Sequence, residues 1–242
     1  MKQQQDKYDI LKTYYGYDTF RDGQEELIDC LLNGQDVCGI MPTGAGKSVC
    51  YQVPALLLPH VTLVVSPLIS LMKDQVRALN QMGVHAAYLN SSLSWNQYKK
   101  ALAYAKAGRY KIIYVAPERL LTEDFLDFAA STPISLLAVD EAHCVSQWGQ
   151  DFRPSYLRIV QFIDSLPKRP VVGAFTATAT RSVQEDVERI LELRSPVREV
   201  TGFDRPNLYF EVIQPESKDK TLLRLLAGQK RKSGIIYCAT RK

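Results

Sequence analysis

Short runs rich in valine, isoleucine and leucine recur along this 242-residue chain and set the strongest constraint on its fold. They lie at 37–41, 61–66, 111–116, 135–140, 170–175 and 197–202, each followed by polar turn residues and a helix-like stretch. A strand that is apolar on both faces needs a covering layer on each side. Helical patterns at 22–33, 48–57, 70–82, 96–108, 122–130 and 180–191 supply those layers. The alternation predicts an α/β domain, a mostly parallel sheet flanked by helices on both faces.

Composition narrows the class further. The apolar fraction of 46% and charged fraction of 23% are those of an ordinary globular chain. No apolar run approaches the roughly 20 residues needed to span a bilayer. The polar start lacks the apolar core of a secretion signal, so a cytoplasmic location and no membrane partner are expected. Cys30, Cys38, Cys50, Cys144 and Cys238 are scattered and never spaced C-x-x-C, which argues against a disulfide framework and a structural zinc site. They are expected to be reduced, several as small apolar core residues. A net charge of +4 is too modest to indicate nucleic acid on its own.

The proline-containing segment Phe203-Asp204-Arg205-Pro206-Asn207 predicts a domain boundary, with a first domain at 1–206 and a second beginning at 207. Residues 207–242 read as strand (208–213), helix (218–228) and strand (234–238). About 36 residues cannot close an α/β core alone, so this second domain is expected to be incomplete. Lys218, Lys220, Arg224, Lys230, Arg231 and Lys232 read as a solvated helix face and loop.

Between the first apolar run and a helical segment stands Met41-Pro42-Thr43-Gly44-Ala45-Gly46-Lys47-Ser48. Glycines at this place let the backbone curl until its N–H groups face an anion, and the helix N-terminus adds its positive dipole. Lys47 is expected on the β- and γ-phosphates of ATP and Ser48 on Mg²⁺. The general phosphate-loop pattern has glycine where this chain has Met41. A later run, Leu136-Leu137-Ala138-Val139, leads into Asp140-Glu141-Ala142-His143, which sets two acids at the carboxyl end of the sheet. Asp140 is expected to hold Mg²⁺ and Glu141 to orient and deprotonate the attacking water. His143 would sense the γ-phosphate or link the site to neighbouring loops.

The segment after those acids, Cys144-Val145-Ser146-Gln147-Trp148-Gly149-Gln150-Asp151-Phe152-Arg153-Pro154-Ser155-Tyr156, resembles the aromatic-rich loop of RecQ family DNA helicases. The resemblance continues in 16–24, which looks like an adenine-reading motif, and in 66–75, which looks like a DNA-contact motif. Ala116-Pro117-Glu118-Arg119, Phe175-Thr176-Ala177-Thr178-Ala179 and 203–207 match in order, so nearly the whole chain is covered. The resemblance implies the first RecA-like P-loop NTPase domain of such a helicase. Its intact relatives would couple ATP hydrolysis to 3′-to-5′ movement on single-stranded DNA and to unwinding of 3′-tailed duplexes, as monomers, in recombination and repair.

Residue roles follow by the same resemblance. Tyr17 would stack on adenine, Gln24 would pair with its edge by donating and accepting at once, and Arg21 would support both. Ser66, Ser70, Gln147, Trp148, Phe152 and Arg153 would meet DNA, with Lys73 and Gln75 as weaker members. Thr176 and Thr178 would couple hydrolysis to domain motion. The rival readings are core packing for Trp148 and Phe152, helix capping for the two threonines, and ordinary surface polarity for Ser66, Ser70, Lys73 and Gln75. An arginine finger from a complete second domain is worth ~10³–10⁵ in rate in nucleotide hydrolases. This chain alone is therefore expected to bind nucleotide weakly, hydrolyse it poorly and unwind nothing. Three other functions remain open: a DNA-dependent translocase that separates no strands, a DNA-binding module with nucleotide as a structural ligand, and a small-molecule kinase.

Overall fold

The structure is a computed structural model and describes residues 6–149, 151–202, 208–229 and 232–238. The chain divides into two compact units, Met1–Phe203 and Asp204–Lys242. The expected boundary segment 203–207, Gln150 of the aromatic loop, and Lys230 and Arg231 lie outside the described residues.

In the first unit, α1 (Lys7–Ile10) runs into a π-helical turn (Leu11–Tyr15), followed by α2 (Gln24–Leu32), β1 (Val37–Ile40), α3 (Lys47–Leu57), β2 (Val61–Val65) and α4 (Ile69–Gln81). Next come β3 (Ala86–Leu89), α5 (Trp95–Lys106), β4 (Ile112–Val115), α6 (Glu123–Ser131) and β5 (Ile134–Val139). The unit closes with α7 (Arg158–Ser165), β6 (Val171–Thr176), α8 (Arg181–Ile190) and β7 (Val197–Val200). Every apolar run expected as a strand in this unit is one. β3, α1 and α7 are additions to the sequence reading.

The strands form one seven-stranded sheet in the order β3-β4-β2-β5-β6-β1-β7, and each adjacent pair is parallel. Both faces are covered. One holds Leu63, Phe125, Phe128, Phe162 and Val183, the other Leu27, Tyr51, Met72 and Phe175. At the amino ends of the strands, the buried Asp36 accepts hydrogen bonds from Arg169, from the Val172 N–H at 2.8 Å and from the Arg194 N–H at 2.8 Å. One carboxylate thus ties together the segments entering β1, β6 and β7. At the opposite end β6 lies between β5 and β1, so the loops leaving all three emerge side by side.

In the second unit the expected helix is present as α9 (Lys218–Ala227), and none of its side chains is buried. The strands expected at 208–213 and 234–238 are not formed: among the described residues, these stretches pair with nothing. Their apolar side chains are largely exposed, including Tyr209, Phe210, Val212, Ile235 and Tyr237. A β pattern becomes a strand only against a partner that satisfies its backbone. Among the described residues, no helix is long and apolar enough to cross a membrane.

Candidate functional site

A cleft of about 670 Å³ opens at the carboxyl end of the sheet. Its walls bring together three separate stretches of sequence: Tyr17, Arg21 and Gln24; Thr43, Gly44, Gly46, Lys47 and Ser48; and Asp140 and Glu141. The first group precedes and opens α2, the second links β1 to α3, and the third follows β5.

The glycine loop takes its shape from two left-handed residues, Gly44 (φ 85°) and Gly46 (φ 83°). Gly46 caps α3, so the loop runs directly into a helix N-terminus whose first amides face outward. The left-handed φ favours glycine at 46, and a Cβ there would stand 2.6 Å from Gln24 Nε2 and oblige that amide to shift off the loop. Ala45, also expected at the site, is half-buried and offers its carbonyl to Gln24. The Lys47 ammonium donates to the Met41 carbonyl at 3.2 Å. Met41 is fully buried and belongs to the core, which accounts for a large apolar residue where the general pattern has glycine.

Gln24 is buried and its amide is spent on the loop: Nε2 donates to the carbonyls of Ala45 (3.0 Å) and Gly46 (3.1 Å), while Oε1 accepts from the Arg21 N–H (2.9 Å). Arg21 donates to the Gly44 carbonyl, and its guanidinium lies 6.0 Å from the centre of the Tyr17 ring. Tyr17 is exposed at the cleft.

The acids differ sharply. Asp140 is buried, and its carboxyl is pushed up to about 6, first by desolvation and then by the neighbouring Glu141. Tyr156 donates its hydroxyl to the Asp140 carbonyl at 2.9 Å and fixes the backbone there. Glu141 has φ 50°, a left-handed conformation that costs a non-glycine residue energy. Its Oε2 is 3.3 Å from His143 Nδ1, which also lies 2.7 Å from Thr176 Oγ1. The Thr176 hydroxyl donates to the Thr178 carbonyl at 3.3 Å, so the matching tautomer has His143 Nδ1–H donating to Thr176. Thr176 is buried and Thr178 exposed. The threonine that caps α8 is Thr180, not either of these.

The aromatic loop splits between the two readings made of it. Trp148 is 81% exposed and outside the core, whereas Phe152 is half-buried. Gln147 and Ser70 are exposed. Ser66 is buried with an unpartnered Oγ, so the surface contact expected of its hydroxyl is not available in this arrangement. Arg153 pairs with Asp151 and reaches the Pro67 carbonyl at 3.3 Å, joining the loop to the segment after β2. Ser146 donates to Asp186 on α8 at 2.7 Å and accepts from the Trp148 N–H at 3.2 Å.

Sequence reading missed Tyr15, Tyr51 and Leu71 in the cleft wall, and Asp186 behind the loop. None lies in a spacing pattern that marks it; each is brought in by packing. Among the described residues, no cluster of His, Cys, Asp and Glu has the makings of a separate metal site.

The residues fit a Mg²⁺-nucleotide: a glycine cradle in which a Cβ on Gly44 would meet nothing, a lysine that among the described residues donates only to a carbonyl, and a buried carboxyl and a helix-start hydroxyl lining the same cleft.

The sequence pattern of the DEAD/DEAH box helicase family matches residues 21–187. The chain is 45% identical over 96% of its length to an ATP-dependent DNA helicase RecQ of Bacillus subtilis (strain 168), spanning 40% of that protein. It is equally 45% identical over 96% of its length to an ATP-dependent DNA helicase RecQ of Pasteurella multocida (strain Pm70), spanning 37% of it. The chain thus covers about two fifths of the length of these relatives. Among solved structures, a hypothetical ATP-dependent RNA helicase from Sulfolobus tokodaii matches 80% of this chain and 56% of its own, with a TM-score of 0.60 at 22% identity, which speaks to the RecA-like fold alone. With its parallel sheet and with the glycine loop, Asp140 and Glu141 in one cleft, the chain belongs to the DEAD/DEAH box helicase family, and its homologues along nearly its whole length include RecQ helicases.

Proposed function

We propose that this chain is the ATP-binding motor domain of a 3′-to-5′ DNA helicase, and that residues 207–242 begin the second motor domain. The observation that carries the reading is the single cleft lined by Lys47, Ser48, Asp140 and Glu141, with an exposed Trp148 on the loop that leaves those same acids. The relatives named as DNA helicases supply the nucleic acid.

Lys47 and the α3 N-terminus hold the β- and γ-phosphates, and Tyr17 stacks on the base. Ser48 and Asp140 would hold Mg²⁺, which would draw charge from the phosphate oxygens. Asp140 would meet that cation in its ionised form, against the protonated form that burial alone favours. Glu141 takes a proton from water as the water oxygen attacks the γ-phosphorus and the bond from that phosphorus to the β–γ bridging oxygen breaks, leaving ADP and inorganic phosphate; His143 keeps the carboxylate aimed. Gln24 gives up a loop carbonyl to reach the adenine edge, so recognition of the base and release of the loop are one event. DNA stacked on Trp148 pulls on a loop that begins at Glu141, which lets strand binding adjust the catalytic acid. The role falls in recombination and repair, with single-stranded and 3′-tailed DNA as partners and the monomer as the working form.

The test is strand separation by the whole protein that carries this chain. A 3′-tailed duplex is expected to be unwound and a 5′-tailed one left intact, with Glu141→Gln abolishing the activity. DNA-stimulated ATP hydrolysis without unwinding would instead mark a translocase. Hydrolysis indifferent to DNA would overturn the reading.

A further inference from the structure

The chain has only two tryptophans, and both are exposed at the carboxyl end of the sheet: Trp148, 81% open, and Trp95, 60% open. An exposed indole offers a flat apolar face on which a nucleic-acid base can stack. Trp148 belongs to the loop after β5. Trp95 opens α5, just beyond β3, behind the capping residue Ser94.

The sheet order gives their relation. β3, β4, β2 and β5 are consecutive neighbours, so the loops leaving them form a row. That row holds Trp95, then Arg119 after β4, then Ser70 after β2, then Trp148 and Arg153 after β5. Three strand spacings separate its ends, roughly 14 Å. At ~3.4 Å per nucleotide in a stacked strand, this is a span of about four nucleotides.

Trp95 is also held in place. Lys99 Nζ lies 4.6 Å from the indole centre, and Tyr98 stacks beside the indole at 6.2 Å and 20°. The Arg119 guanidinium lies 4.9 Å from the Tyr98 ring. Lys99 and Tyr98 thus both contact the indole and Arg119 contacts Tyr98, a linked column of contacts that joins α5 to the segment after β4. An aromatic platform fixed in advance loses little entropy when a flat ligand meets it. Asp124, 2.7 Å from Lys99, takes up part of the lysine charge, so the column favours stacking over phosphate attraction.

We infer that Trp95, backed by Lys99 and Tyr98, is a second base-stacking contact that carries a single strand past the β4 loop to the far edge of the sheet. The inference rests on the reading of the row as a DNA path.

Two single-tryptophan chains separate it from that reading. Trp148→Phe leaves Trp95 as the fluorophore, and Trp95→Phe leaves Trp148. Each is titrated with a labelled single-stranded oligothymidylate of about 16 nucleotides, with anisotropy of the label reporting binding independently. Trp95 emission is expected to fall in step with anisotropy. Trp95→Ala is expected to weaken binding about tenfold, the loss of one stacked base, while Trp95→Phe keeps most of the affinity. Rising anisotropy with unchanged Trp95 emission would overturn the contact while leaving the DNA reading intact. Flat anisotropy in the unsubstituted chain would overturn the DNA reading and the contact with it.

Discussion

Burial of the Asp140 carboxyl beside Glu141 raises its pKa from 3.8 to about 6. At pH 8 the folded chain must keep this group ionised against desolvation, whereas the unfolded chain ionises it freely. As pH falls from 6 towards 4 the folded state takes up the proton first, so the stability tied to Asp140 improves; it is lost as pH rises through 6. Asp140→Asn keeps an acceptor for the Glu141 N–H and removes the charge. At pH 8 without metal, the variant is expected to be more stable by about 2–3 kcal/mol, melting roughly 5–10 °C higher. Near pH 4 the two should melt together. Equal melting at pH 8 would show that the carboxyl is not held against its preference. Gly46 offers a second test. Alanine there would meet Gln24 Nε2 at 2.6 Å in a left-handed backbone, whereas at Gly34 the φ is similar, 81°, and the space is open. Both substitutions carry a backbone cost of about 1–2 kcal/mol. Only Gly46→Ala is expected to lose nucleotide affinity as well, by tenfold or more in a binding titration; parallel losses in both would make the Gln24 contact irrelevant.

At the scale of elements, the sheet is tied at one end and carries the candidate site at the other. Asp36 joins the segments entering β1, β6 and β7, with the largely buried Arg169 side chain at 2.6 Å. Asp36→Ala would leave Arg169 without its carboxylate and buried amides without an acceptor, and is expected to cost about 3 kcal/mol in denaturant unfolding. A loss below about 0.5 kcal/mol would show that packing alone holds these strands. Strands β1, β2, β4, β5 and β6 were legible because each is apolar on both faces, as a central parallel strand must be. β3 escaped notice because Ala86 and Ala87 carry little strand preference and the strand lies at the edge. α7 had its signal, Ile159, Phe162 and Ile163 on one face, but it is short and runs straight on from the aromatic loop and the 3-10 turn Pro154–Leu157. The phosphate loop and the two acids were legible because each is local in sequence. Ser146–Asp186, Tyr156–Asp140 and Arg153–Pro67 were not, since the packed sheet alone brings those pairs together.

For the whole molecule, the two units differ in how much holds them. The first has a buried core on both faces of its sheet, whereas α9 buries none of its side chains. A ten-residue helix without tertiary packing is marginal in water. Amide hydrogen exchange is expected to be slowest in β2 and β5 and fast throughout Lys218–Ala227; protection of α9 matching that of β5 would contradict the description of the second unit. The same contrast bears on function, because the residues lining the proposed nucleotide cleft belong to the first unit. The most direct measurement is therefore a calorimetric titration of this chain with Mg²⁺-ATP and Mg²⁺-GTP, beside Lys47→Ala and Gln24→Ala. The account predicts binding that favours ATP, is lost with Lys47→Ala, and no longer distinguishes the two nucleotides with Gln24→Ala. Binding by the folded chain that is indifferent to Lys47→Ala would contradict the assignment of the phosphate loop, and with it the central claim.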